Sequence, residues 1–159
     1  MHRIFGLTGA LCSALLLAAC SHYQAAGEAD TATITFTSNN VSGQPMVCNE
    51  AGRFQSTRMA LSQKPFDSEM FDEINKTLRK AESVVTAVPA NRPVRVGVRH
   101  SQRSRGTTDF SCRQAAQFEP VAGSTYTVHF TLQGNQCGLD ITDGAGAPVE
   151  GAIAVPWNC

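Results

Sequence analysis

The stretch from Thr125 to Leu132 alternates without a break. Tyr126, Val128, Phe130 and Leu132 fall on one side, and Thr125, Thr127, His129 and Thr131 on the other. A period of two belongs to a strand with one buried and one wet face; a helix cannot use it. The pattern recurs in short pieces. Ala32 to Thr37 sets Ile34 and Phe36 against Thr33, Thr35 and Thr37, and stops at Ser38-Asn39-Asn40. Pro93 to His100 turns Val94, Val96 and Val98 inward and Arg95 and Arg99 outward. Gln136 to Thr142 puts Cys137, Leu139 and Ile141 on one face. Pro45 to Asn49, Ser83 to Val88, Asp109 to Phe118 and Val149 to Trp157 read as further strands, and Arg53 to Leu61 as extended chain. Such short strands, punctuated by Gly, Pro and Asn, predict a mainly β fold, an antiparallel β-sandwich. The turn over Pro89 to Pro93 would join its two flanking strands as a hairpin. Turns near Val121 and Gly134 would do the same for the strands on either side of them.

One segment breaks the pattern. From Pro65 to Glu82, Met70, Phe71, Ile74, Leu78 and Ala81 recur at helical spacing. Asp67 or Ser68 can cap the start, and Glu69, Asp72 and Glu73 suit the positive end of the dipole. Asp72 and Lys76 form an i,i+4 pair, and Arg79 and Lys80 close the last turn. The expectation is one amphipathic helix near 67–82, its apolar stripe packed on the sheet as core.

The amino-terminal end is of another kind. Met1-His2-Arg3 is basic, and Ile4 to Ala19 is apolar, interrupted only by Thr8 and Ser13. That run is short for a membrane span and fits the h-region of a signal peptide. Leu17-Ala18-Ala19-Cys20 resembles the lipobox of bacterial lipoproteins at every position. The resemblance implies cleavage before Cys20, a diacylglyceryl group on its thiol and acylation of the new amino terminus. Two or three acyl chains hold a protein on a bilayer where one does not. Ser21 in the next position is similar to the outer-membrane sorting pattern of Gram-negative lipoproteins. An ordinary secretory signal with an incidental thiol is the competing reading. The chain then divides into a signal peptide over 1–19, a lipidated start and flexible tether over 20–31, and a sandwich domain over 32–159. His22 and Tyr23 read as solvated or interfacial parts of the tether.

Cysteine usage agrees with export. Of six cysteines, Cys12 leaves with the leader and Cys20 carries the anchor. Cys48, Cys112, Cys137 and Cys159 remain, an even number that suits two disulfides in an oxidising compartment. No pair has the short spacing of a structural zinc site. Four cysteines allow three pairings. If the strand 110–118 paired with 125–132, and that with 136–142, Cys112 and Cys137 would share a height two strands apart. In one flat sheet that is about 9–10 Å, beyond the reach of a bridge of about 7 Å. The pair becomes feasible if a strand switches sheets. Cys112–Cys137 with Cys48–Cys159 is the favoured set.

In the last third, Phe118-x-Pro120-x-x-Gly123-x-x-Tyr126 and Asp143 to Ala152 are similar to small immunoglobulin-like and transthyretin-like domains. The resemblance implies a sandwich, immunoglobulin-like, and fixes no function.

Chemistry is sparse. The sequence has no Gly-x-Ser-x-Gly elbow, no His-Glu-x-x-His and no Gly-rich phosphate loop. Asp140-x-x-Asp143-Gly144 is better read as a turn than as a calcium loop. We therefore expect no catalytic residues, no metal and no cofactor. Charges balance at 13 basic against 13 acidic, which gives no case for nucleic acid. The one concentration of charge is Arg92, Arg95, Arg99, His100, Arg103 and Arg105, with Arg113 after it. It suits phosphates, an anionic glycan or an acidic protein surface. It equally suits a solvated strand edge that discourages aggregation. The sequence thus reads as a lipid-anchored envelope protein, outer membrane favoured. As such it is a non-catalytic binding module for an envelope protein or anionic glycan. A structural envelope-assembly protein and a periplasmic inhibitor or immunity protein are the alternatives.

Overall fold

The computed structural model describes residues 22–25, 27, 30–64, 67–102 and 110–159. The leader and Cys20 lie outside the described residues. The fold is mainly β. Its strands are β1 (Thr31–Ser38), β2 (Gln44–Cys48), β3 (Phe54–Ser56), β4 (Ala60–Leu61), β5 (Lys80–Ala81), β6 (Val84–Pro89), β7 (Val94–Gln102), β8 (Phe110–Phe118), β9 (Thr125–Gln133), β10 (Gln136–Asp143) and β11 (Ile153–Val155). Among the described residues the helix is α1 (Glu69–Thr77). A four-stranded sheet runs β10-β9-β1-β6 and a five-stranded sheet β11-β8-β7-β2-β3, with β4 and β5 as a small pair beside them. Pairing in the two large sheets is antiparallel except at β1 and β9, which run parallel in register Thr33↔Thr125 through Ser38↔Phe130.

The alternation sets the core. Ile34, Phe36, Val88, Val128 and Phe130 of the first sheet are buried against Val47, Val96 and Val98 of the second. Each strand spends every second residue on this interior, so a register slip of one would turn the core outward.

Two predicted hairpins do not form. β6 belongs to the four-stranded sheet and β7 to the five-stranded one, so the turn over 89–93 carries the chain between layers. The same holds for β8 and β9. Consecutive strands in a sandwich can bury their inward faces by crossing over as well as by pairing, and periodicity is identical in both cases. The β8–β9 crossing has a built corner. Pro120 is fully buried. The Val121 N–H donates to the Tyr126 hydroxyl at 3.0 Å, and Phe118 meets Tyr126 edge-on at 5.1 Å. The Gly134-Asn135 turn does join a hairpin, β9 with β10.

The crossing explains the first disulfide. Cys112 on β8 and Cys137 on β10 lie in opposite sheets with Cα atoms 6.6 Å apart. Their bridge staples one layer to the other, and Gln114 Nε2 donates to Cys137 O at 3.1 Å beside it. The second bridge, Cys48–Cys159, has Cα atoms 5.8 Å apart. It ties a strap to the outer face of the five-stranded sheet. After β11 the chain crosses that face, and Trp157 stacks on Phe54 of β3 at 4.5 Å between centroids. Gly97 on β7 makes room for it. A Cβ there would sit 2.7 Å from Trp157 Cζ3 and 2.6 Å from Gln114 O. Gly97→Ala should therefore lift the strap or shift β8, costing about 1–3 kcal/mol as overpacking does. Trp157 is the sole tryptophan, so a red shift of its emission would report the lifting directly.

The helix is shorter than the sequence suggests and faces another way. Ser68 is the cap, and the Phe71 N–H donates to its Oγ at 3.3 Å. α1 ends at Thr77 because Arg79 takes a left-handed φ of 53° and Lys80–Ala81 then pairs with Ala60–Leu61. Asp72 does not pair with Lys76. It meets Lys64 at 2.7 Å, Lys64 also holds Glu82, and Lys76 turns to Glu73. The carboxylates of Asp72 and then Glu82 hold Lys64 protonated well above the usual lysine range. The apolar stripe expected in the core is on the surface: Met70 is 65 % exposed, Ile74 44 % and Leu78 58 %. Asn75 is the buried residue of α1, and Phe71, one turn before it, is half-buried. One residue of offset rotates a side chain by about 100°, so a helix seated on Phe71 and Asn75 turns the Met70 row aside.

Tyr23 is not a solvated or interfacial part of a tether. Tyr23 is buried at 7 % exposure and belongs to the core. Its N–H donates to Ser56 O at 2.8 Å. The aromatic ring is large enough to be drawn from a polar segment onto the apolar edge of the sandwich.

Candidate functional site

β7 presents Arg95, Gly97 and Arg99 on the outer face of the five-stranded sheet, because Val94, Val96 and Val98 fill the interior. β8 pairs with it so that Arg95 meets Gln117, Gly97 meets Ala115 and Arg99 meets Arg113. These outward residues have separate roles. Arg95 is half-buried: its Nε donates to Gln117 Oε1 at 2.8 Å, and one terminal nitrogen donates to the Asn158 carbonyl and side-chain oxygens at 3.1 Å. It clamps the strap to the sheet. Arg92, in the turn after β6, faces Glu50 at 3.4 Å.

Arg99 and Arg113 are different. Both are exposed and stand directly opposite one another on antiparallel strands. Neither forms an ion pair among the described residues. Cβ atoms of such a pair lie about 5 Å apart, and like charges placed there repel. Arginines at facing register positions can both donate to one carboxylate, sulfate or phosphate, which would remove the repulsion. Arg103 and Arg105 lie outside the described residues, in the connection between β7 and β8.

His100 leaves the expected patch. It is 3 % exposed and points into the sandwich, as its even position among the inward valines requires. Its Nδ1 donates to Ser42 O at 2.6 Å, a carbonyl that can only accept. The ring lies against Phe110 and Phe130, at 6.0 and 6.5 Å between centroids. Counting alternation two residues past Val98 gives this position; the neighbouring arginines drew the sequence reading away from it.

Further along the same edge, a cleft of about 420 Å³ lies between the strap and the β6–β7 crossing. Tyr23, Asn49, Glu50, Arg92, Arg95 and Cys159 line it. Arg92 and Arg95 on its wall are already engaged, so the cleft has less free positive charge than its composition suggests. His129 is half-buried and its Nδ1 lies 2.8 Å from Thr37 Oγ1 on the parallel neighbour strand. Among the described residues, no three of His, Cys, Asp and Glu come together as a metal set. No helix among them is long and apolar enough to cross a membrane. The sequence reading missed Tyr23, which lines this cleft; a lone aromatic in an otherwise polar segment was its only trace.

No protein-family model matches this chain, and no curated protein matches it.

Proposed function

We propose that the chain is a lipid-anchored protein of the bacterial cell envelope, held at Cys20 and favouring the outer membrane. It acts as a non-catalytic binding module for an anionic group on an envelope protein or glycan. The observation that carries the binding part is the Arg99–Arg113 pair. A cross-strand pair of like charges is unfavourable by itself and becomes favourable when an anion bridges it. The lipobox from Leu17 to Cys20 supports the anchor, and the pairing of the four remaining cysteines suits an oxidising compartment. A structural role in the envelope, or inhibition of a periplasmic hydrolase, would use the same surface.

Two experiments test this. Cys20→Ser should move the protein from the membrane fraction to the soluble one; a variant that still sediments with membranes removes the anchor. Crosslinking in cells followed by affinity recovery should isolate an acidic protein or a charged glycan. Arg99→Ser with Arg113→Ser should cut that recovery about tenfold, as loss of a bidentate charge-assisted contact does. The unfolding midpoint should stay level or rise, because the repulsion is gone. Recovery at the level of the unaltered protein would defeat the patch.

A further inference from the structure

Tyr23 limits how far the domain can stand from a lipid on Cys20. Its ring is in the core and its N–H is bound to Ser56 O at 2.8 Å. Three residues of chain reach about 10 Å at most. A protein anchored at Cys20 therefore keeps Ser56 at the bilayer surface. From Ser56 only four residues lead to Ala60, whose N–H donates to Arg79 O at 3.0 Å. Arg79 follows Leu78, the last member of the exposed row Met70, Ile74 and Leu78. The apolar face of α1 thus begins close to the anchored edge of the domain.

Charge points the same way. Three of the acidic groups around α1 are paired with lysines, Asp72 and Glu82 with Lys64 and Glu73 with Lys76, while Asp67 and Glu69 stand exposed at the start of the helix, away from Leu78. Arg58 and Arg79 are exposed and form no ion pair among the described residues. A short apolar row with cations at its Leu78 end, the end nearer the anchored edge, can offer lipid its apolar side chains at the acyl boundary and those cations at the phosphates.

We propose that Met70, Ile74 and Leu78 of α1 rest in the headgroup region of the membrane that carries the anchor, with Arg58 and Arg79 on its phosphates. The domain then has one fixed orientation, and the Arg99–Arg113 pair is displayed from a defined side. This inference rests on the anchor at Cys20, and the experiment separates the two. The mass of the amino-terminal peptide states whether Cys20 carries lipid. Hydrogen exchange then compares the lipidated full chain in vesicles of three parts phosphatidylethanolamine to one part phosphatidylglycerol with the Cys20→Ser chain in solution. Amides of residues 69–80 should exchange at least about threefold more slowly on vesicles, while those of β9 and β10 stay unchanged. Met70→Ser, Ile74→Ser and Leu78→Ser together should remove the slowing without altering exchange in solution. Arg58→Ser with Arg79→Ser should weaken it in proportion to the phosphatidylglycerol present. Equal exchange on vesicles and in solution, with lipid on Cys20, overturns the docking and leaves the anchor standing. A concentration-dependent dimer of the Cys20→Ser chain that the triple substitution abolishes assigns the face to a second copy and overturns it too. A peptide without lipid defeats the anchor itself.

Discussion

Replacing Cys48 and Cys159 together with serine should lower stability by about 5 kcal/mol, the chain-entropy cost of opening a loop of this size. The bridge spans 111 residues and the Cys112–Cys137 bridge only 25. The same relation gives about 3.5 kcal/mol for Cys112→Ser with Cys137→Ser. With a urea dependence of about 2 kcal/mol per molar, the two pairs should shift the midpoint by about 2.5 and 1.7 M. Their local effects should differ as well. Freeing Cys159 releases the strap, so Trp157 should become water-exposed and its emission should shift red even where the domain remains folded. Freeing Cys137 lets the two sheets part at the β8–β10 side and should leave Trp157 unmoved. Midpoints that rank in the reverse order, or tryptophan emission that answers to Cys112 rather than Cys159, would contradict this assignment of roles.

Phe36→Ala should be nearly as damaging. Phe36 is fully buried on β1, between β6 and β9 and facing the second sheet. Truncating such a side chain costs about 3–5 kcal/mol, the lost burial plus the cavity left behind. Domains of this kind hold about 5–15 kcal/mol in all, so the variant should sit close to its unfolding threshold at growth temperature. Val85→Ala on the neighbouring strand β6 is the control. Val85 is 63 % exposed, and its truncation should fall within about 0.5 kcal/mol of zero. Urea denaturation of the two proteins side by side decides the matter: equal midpoints would mean that Phe36 is not part of a packed interior.

The strands were legible because alternation reports burial directly. Ile34, Phe36, Val94, Val96, Val98, Tyr126, Val128 and Phe130 all lie on the side that period two assigns them. Which strands pair was much less legible, since a strand's own pattern is the same whether its neighbour in sequence lies beside it or in the opposite sheet. The 89–93 and 119–124 connections therefore read as hairpin turns and are crossings. The favoured cysteine pairs were within reach, because a bridge between residues 112 and 137 requires that one strand change layers. Residues 67–82 misled for a definite reason. A helical moment names an apolar side but does not say what it faces, and α1 is seated through Phe71 and Asn75 instead. At the surface, the arginines were visible as a run, yet only the register separates Arg95, spent on the strap, from Arg99 and Arg113, which form no ion pair among the described residues.

The parallel pairing of β1 with β9 has a consequence for how the molecule is made. β1 is the first strand of the domain, and its partner lies 92 residues further along, at the separation of Thr37 and His129. The four-stranded sheet cannot close until β9 and β10 are available, and the Cys48 bridge waits for Cys159, 111 residues further on. Topologies that depend on such distant contacts fold slowly. For a polypeptide that must thread a narrow conduit before it folds, slowness is protective. In the exported form proposed above, the amino-terminal end would cross and be processed while its eventual neighbours were still on the other side.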